Sequence, residues 1–138
     1  MEKLVDGLIE ITGIKPSLHI CGHTKDIWEN IKNLNVASFS VDNVEDLAEL
    51  KEVLGETMPI LGNVPPVEIM RFGTTEDVIE ACKTCIRKGS TSQKGYILGT
   101  GCQIPPGTTE ENLKTFVWAA RTYGAGAKLG ELPEGMLK

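Results

Sequence analysis

Histidine and cysteine are scarce in this chain, with 2 His and 4 Cys among 138 residues, and three of the six sit where they could share one metal ion. His19 and Cys21 stand at i and i+2 in the apolar run Ser17-Leu18-His19-Ile20-Cys21, a spacing that points both side chains to one side of an extended segment. Cys102 follows another apolar run, Tyr96 to Gly99, within Gly101-Cys102-Gln103-Ile104-Pro105-Pro106. Two thiolates and one imidazole suit zinc. Three protein ligands leave a fourth tetrahedral position open, which is the catalytic and not the structural arrangement. The competing reading of each cysteine is a small buried hydrophobe, and a lone His-x-Cys is a weak signal. What favours the metal is that all three residues fall at strand ends. His23, four residues after His19, is the competing ligand. Its place at a helix start suits a solvated loop residue, with a ligand role or a hydrogen bond to a ligand as the alternative. Cys82 and Cys85 have CxxC spacing, but Cys82 shares an apolar helix face with Val78 and Ile86, so both read as core or core-edge residues. Asp42, Asn63 and Gln103 stand at the remaining strand ends and are the candidate substrate-binding residues. Turn, helix-cap or ligand-supporting roles suit Asp42 and Asn63 equally well.

The elements that must position these residues can be read from apolar periodicity. Leu4, Leu8 and Ile11 mark one face of a short helix ended near Gly13 and Pro16. A strand over Ser17–Cys21 is closed by Gly22, and Thr24 caps a helix with Ile27, Ile31 and Leu34 inward. The pattern repeats: a strand from Val36 to Val41, a helix capped by Asn43 with Leu47, Leu50 and Leu54 inward, and Gly55 as its stop. A third strand, Met58 to Gly62, runs into Asn63-Val64-Pro65-Pro66, where the prolines suit a turn or a first helical turn. Thr74 opens a longer helix with Val78, Ile79, Cys82 and Ile86 inward, ended by Lys88-Gly89. After the strand Tyr96 to Gly99, Thr108 with Glu111 forms a capping box for a last helix with Leu113, Phe116, Val117 and Ala120 inward. Trp28, Phe116 and Trp118 are helix-face residues too dispersed for a stacking platform. Residues 125–138 read as a polar tail of no assigned role, within a single domain over 1–138.

Strands alternating with amphipathic helices, without hairpin dipeptides, indicate an α/β fold of about four consecutive βα units on a parallel sheet. Loops at the carboxyl ends of such strands gather the chemistry. Four strands leave two open edges, and a (β/α)8 barrel needs about 250 residues, so this chain has room for half a barrel. Either it is a small open sheet or a half-barrel completed by another copy, by a partner chain or by residues outside these 138.

Charge and composition narrow the function. With 14 Lys+Arg against 19 Asp+Glu the formal net charge is −5, and no basic cluster is present, which argues against nucleic acid as a partner. No apolar run reaches the roughly 18 residues that span a bilayer, and the acids in Met1–Glu10 do not suit a secretory signal, so the expected setting is the cytoplasm without a membrane partner. In a reducing compartment cysteines serve as metal ligands, nucleophiles or core filler in preference to disulfides.

The segments Leu18-His19-Ile20-Cys21-Gly22, Ser40-Val41-Asp42, Leu61-Gly62-Asn63-Val64 and Gly101-Cys102-Gln103-Ile104-Pro105-Pro106, in that order, resemble the C-terminal half of the uroporphyrinogen decarboxylase superfamily. They are most similar to its zinc-dependent branch, the methylcobamide:coenzyme M methyltransferases. The resemblance runs from about Leu4 to Gly124 and implies the C-terminal half of a (β/α)8 TIM barrel. Its most specific element is His-x-Cys followed by a distant Cys before Ile-Pro-Pro, and it assigns zinc to His19, Cys21 and Cys102. It implies a zinc-dependent methyltransferase, or a fragment or subunit of one, that moves a methyl group from a methylcobamide on a partner corrinoid protein to a thiol such as coenzyme M. Zinc would hold that thiol as a thiolate at neutral pH, and the thiolate would attack the methyl group. A homodimer or an N-terminal half-barrel partner would complete the barrel. The alternatives are a metal-free fragment like the decarboxylases and a non-catalytic zinc-binding half-barrel subunit.

Overall fold

Four apolar runs form the strands of one parallel sheet, and each is followed by a helix or helical turn that returns the chain to the start of the next strand. The computed structural model describes all 138 residues. In chain order the elements are α1 (Glu2–Thr12), β1 (Ser17–Ile20), a 3-10 turn (Lys25–Ile27) leading into α2 (Trp28–Lys32), β2 (Ser38–Val41), α3 (Leu47–Leu54), β3 (Ile60–Val64), a π-helical turn (Pro66–Arg71), α4 (Thr75–Gly89), β4 (Tyr96–Thr100), α5 (Glu110–Tyr123) and a final 3-10 turn (Glu134–Met136). The sheet order is β1-β2-β3-β4 with every pair parallel. Sequential order without a switch point is the winding of a stretch of (β/α)8 barrel and not of a doubly wound sheet.

The two faces of the sheet differ sharply. Phe39, Val41, Ile60 and Val64 are fully buried and pack with Leu50, Leu54, Val78 and Cys82 in one core, joined by the partly buried Leu18, Tyr96 and Leu98. Register pairs His19 with Ser40, Ser40 with Leu61 and Leu61 with Ile97, which makes one row across the opposite face. His19 is exposed in that row and Ile97 is 53% exposed, so the face that carries the first candidate ligand is open.

Several helical expectations need correction. In α1 the apolar residues form two stripes; Val5 is buried and Ile9 packs on the core, whereas Leu4, Leu8 and Ile11 face out. The start of α2 is a 3-10 turn that turns Ile27 outward and buries Trp28 with Ile31, and the Trp28 indole N–H donates to Thr24 Oγ1 at 3.0 Å. Asp46, and not Asn43, caps α3, accepting from the N–H groups of Ala48 and Glu49, while Leu47, Leu50 and Leu54 are buried as expected. Thr74 forms a capping box with Asp77 at the head of α4. The cap of α5 is Thr109, one residue later than Thr108, and the inward face rotates with it: Asn112 and Ala119 are buried, and Leu113 and Val117 are exposed beside Trp118. Asn112 is drawn inward by hydrogen bonds to the carbonyls of Met70 and Gly73, at 3.0 and 2.9 Å. The tail folds back, with Gly135 N donating to Ala125 O at 3.0 Å and Pro133 and Gly135 buried.

Candidate metal centre

Each ligand candidate is delivered by a strand end. His19 and Cys21 leave β1 on the same side, and Cys21 Sγ lies 3.3 Å from His19 Nε2 and 3.6 Å from Cys102 Sγ. All three donor atoms lie within 4.8 Å of one another. β1 and β4 are the two edges of the sheet, three strand spacings apart, or about 14 Å in a flat sheet. Curling of the sheet and the path of the loop after β4 close that gap. Gly101 makes the path possible, because a Cβ there would stand 2.3 Å from Asn43 N, so the Cys102 loop lies directly on the loop after β2. Gly101 N donates to Val64 O at 2.9 Å and Thr100 Oγ1 donates to Cys102 O at 2.7 Å, which fixes the turn that presents Cys102.

The tautomer of His19 is set by its neighbours. Nδ1 lies 3.0 Å from the carbonyl oxygen of Ser40, which can only accept, so Nδ1 carries the proton and Nε2 keeps its lone pair toward the cysteines. Ser40 Oγ stands at 3.0 Å from the same nitrogen. The Cys21 thiol is pushed up from its ordinary pKa, first by the hydrogen bond it shares with Cys102, then by desolvation and by the negative charges of Cys102 and Asp42. Two thiolates this close coexist only with a cation between them. Tetrahedral zinc with Zn–S of about 2.3 Å and Zn–N of about 2.05 Å requires S···S of about 3.8 Å and S···N of about 3.6 Å. The observed 3.6 and 3.3 Å are within a few tenths of an ångström of those edges, and the third, from His19 Nε2 to Cys102 Sγ, is at most 4.8 Å, so the donor types and the two edges at Cys21 suit such an ion. A cavity of about 380 Å³ lined by His19, Cys21, Ser40, Thr100, Cys102 and Gln103 leaves the remaining side open to a substrate.

The other expected residues divide. Gln103 is exposed at the rim of that cavity. Asp42 is buried and turned to the backbone, its Oδ2 accepting from Gly22 N at 2.8 Å and its Oδ1 from Val44 N at 3.1 Å. Asn63 is buried too; its Nδ2 donates to Glu45 O at 2.8 Å and Asp42 O at 3.2 Å, and its Oδ1 accepts from the Cys85 thiol at 3.7 Å. Both side chains tie strand-end loops together. His23 is solvated, as expected, with a side chain 84% exposed. Cys82 and Cys85 are core residues; burial pushes the Cys82 thiol up to about 12 and raises that of Cys85. Glu45, buried beside the Cys21 loop, escapes a reading of sequence because an acid two residues before an amphipathic helix looks like a surface residue. A larger cavity of about 420 Å³ lies at the opposite end of β4, against α5 and the tail, and its lining is mostly apolar.

The family model described as uroporphyrinogen decarboxylase (URO-D) matches residues 1–123. A methylated-thiol–coenzyme M methyltransferase of Methanosarcina mazei is 35% identical over 104 residues, which are 75% of this chain and 27% of that protein. The methylcobamide:CoM methyltransferase MtbA of Methanosarcina acetivorans is 34% identical over 122 residues, 88% of this chain and 34% of the relative. A uroporphyrinogen decarboxylase of Microcystis aeruginosa is 32% identical over 106 residues, 77% of this chain and 29% of the relative. The chain thus spans between a quarter and about a third of the length of these relatives. Among solved structures, a methyltransferase from Methanosarcina mazei superposes with a TM-score of 0.75 at 23% identity, covering 91% of this chain and 36% of that one, a likeness of fold.

Proposed function

The chain belongs to the uroporphyrinogen decarboxylase family, and we propose that within it this protein is a zinc-dependent methyltransferase, or a part of one, acting between a methyl-corrinoid protein and a thiol such as coenzyme M. The observation that carries this reading is the convergence of His19 Nε2, Cys21 Sγ and Cys102 Sγ beside an open cavity. Relatives named as methyltransferases acting on methylcobamide and CoM support the choice of donor and acceptor. When bound, zinc supplies Lewis-acid stabilisation of a substrate thiolate at neutral pH.

The chain's own groups do the rest. Cys21 and Cys102, as thiolates, bring two negative charges to a divalent cation, so the cluster is neutral overall before the acceptor thiolate adds its charge. Ser40 orients the His19 ring through Nδ1–H and keeps Nε2 available. Gln103 at the rim offers an amide to the polar end of the thiol substrate. The cavity beside His19, Cys21 and Cys102 would take the acceptor thiol, whose sulfur would accept the methyl group, the bonding electron pair staying with the corrinoid on its own protein. Asp42 and Asn63 support the loops that carry the site. The exposed row of the sheet and its two free edges favour a barrel completed by a second copy or an N-terminal half-barrel partner. No helix is long and apolar enough to cross a membrane, and a cytoplasmic setting suits the thiolate ligands.

The test is methyl transfer from methylcobalamin to coenzyme M by zinc-reconstituted chain, with Cys102→Ser as control. Transfer that depends on Cys102 supports the reading. Zinc binding without transfer, alone or with a supplied N-terminal half-barrel, favours a non-catalytic zinc-binding subunit. A chain that takes up no zinc belongs instead beside the decarboxylases among its relatives.

A further inference from the structure

Glu45 is a buried acid without a strong cationic partner. Its side chain is 6% exposed, it forms no ion pair with any Lys or Arg, and the solvated His23 ring stands beside it with Nδ1 3.9 Å from Oε1. Taking a carboxylate out of water is costly unless hydrogen bonds replace the lost hydration. Here the replacement comes from the main chain. Oε1 accepts from Thr24 N and from Lys25 N, the latter at 3.0 Å. Thr24 and Lys25 lie three and four residues beyond Cys21, at the head of the 3-10 turn, where backbone N–H groups lack partners of their own.

A second carboxylate grips the same loop from the same side. Asp42 accepts from Gly22 N, the residue after Cys21, and Gly22 adopts φ +79°, which a side chain would strain. Asp42 and Glu45 are both on the loop after β2, and Asn63 Nδ2 holds the carbonyls of both. The segment that follows Cys21 is therefore held at Gly22 and at Thr24-Lys25 by two carboxylates whose own main-chain carbonyls are tied to β3. Glu45 stands outside the group of three converging metal donors.

We infer that Glu45 is a positioning residue for the metal centre: together with Asp42 it clamps the main chain after Cys21, so that Sγ is held beside His19 and Cys102 before a cation arrives. The inference rests on the proposed metal site. A preformed loop loses little conformational freedom on binding, and the benefit is read as metal affinity.

The test compares wild type, Glu45→Gln and Glu45→Ala, with zinc and cobalt(II) as probes. Zinc affinity is measured by competition with a chromophoric chelator, the cobalt coordination by its visible spectrum, and the fold by circular dichroism. Removing the acceptor in Glu45→Ala is expected to weaken zinc binding roughly 10-fold, the lower end of what supporting residues contribute, and to alter the cobalt spectrum. Glu45→Gln keeps a carbonyl oxygen for the two N–H groups and should restore affinity to within about three-fold. A folded Glu45→Ala chain with wild-type zinc affinity and cobalt spectrum overturns the inference. Hydrogen exchange on the wild type decides the matter even if Glu45→Ala does not fold. The clamp requires the Thr24 and Lys25 amides to be protected to the same degree with and without zinc, and rapid exchange without zinc refutes it. Wild-type chain that takes up neither metal fails the metal reading itself, and this inference with it.

Discussion

Truncating Asn63 to alanine separates a loop-holding role from a substrate-contacting one. The amide donates to Glu45 O and to Asp42 O, at 2.8 and 3.2 Å, and is 7% exposed. Asp42 O also accepts from Glu45 N at 3.2 Å, so its loss is partial, whereas Glu45 O is left without a donor. A stranded buried carbonyl costs about 1–3 kcal/mol and a lost but replaceable bond about 1 kcal/mol, so the expected destabilisation is roughly 2–4 kcal/mol. For a domain of this size each kcal/mol lowers Tm by about 3 °C, giving a fall of roughly 6–12 °C in thermal unfolding followed by circular dichroism. The Cys85 thiol, which donates to Asn63 Oδ1, should become more accessible to a thiol reagent in the same variant. A stability loss below about 0.5 kcal/mol, with the change confined to the acceptor's KM, would refute the assignment and return Asn63 to the substrate.

The remaining predictions use other parts of the chain. In native chain stripped of metal, the accessible Cys21 and Cys102 should react with a maleimide well before Cys82 and Cys85, whose burial lets them react only after unfolding; four fast thiols would mean that the core assignment is wrong. Asp46→Ala should cost about 1 kcal/mol through loss of the α3 cap, measured by urea unfolding at pH 7. The Asp46 carboxyl is held below its ordinary 3.8, first by the Lys88 ammonium and then by the Ala48 and Glu49 N–H groups, so its contribution is complete above that value and fades as the pH falls through the depressed one. Asp46→Asn, which keeps a cap, should therefore trail wild type by a few tenths of a kcal/mol at pH 7, and the gap should close as the pH falls below the ordinary 3.8 and through the depressed value; a gap that widens on acidification contradicts the pairing. Ser40→Ala leaves the carbonyl that orients His19 in place, so zinc affinity should fall only a few-fold, and a loss beyond 100-fold would show that the hydroxyl alone holds the ring.

The parts of the fold legible in sequence were those with a single physical solution. Leu47, Leu50 and Leu54 offer one apolar stripe and all three are buried, and the strand runs are short and apolar. Where a helix carries two apolar stripes, as α1 and α5 do, periodicity cannot choose between them, and packing buried Val5 and Ala119 in place of Leu4 and Leu113. Caps moved by one to three residues, from Thr108 to Thr109 and from Asn43 to Asp46, because neighbouring residues of equal capping ability differ only in the loop geometry leading to them. In the candidate site, residue type and strand-end position marked His19, Cys21 and Cys102 as side chains that could share one ion, and the structure brings their donor atoms within 4.8 Å of one another. Glu45 was not, because its role depends on backbone N–H groups brought near by the chain path. Asn112 was hidden for the same reason: a polar residue in a helix shows no sign in sequence that two carbonyls await it.

The central claim is most directly tested by zinc per chain, measured by elemental mass spectrometry on untagged wild type and Cys102→Ser after reconstitution under reducing conditions. The account requires close to one zinc per wild-type chain and a steep loss in Cys102→Ser with helix content retained. Wild type without zinc, or Cys102→Ser with a full complement, would contradict it.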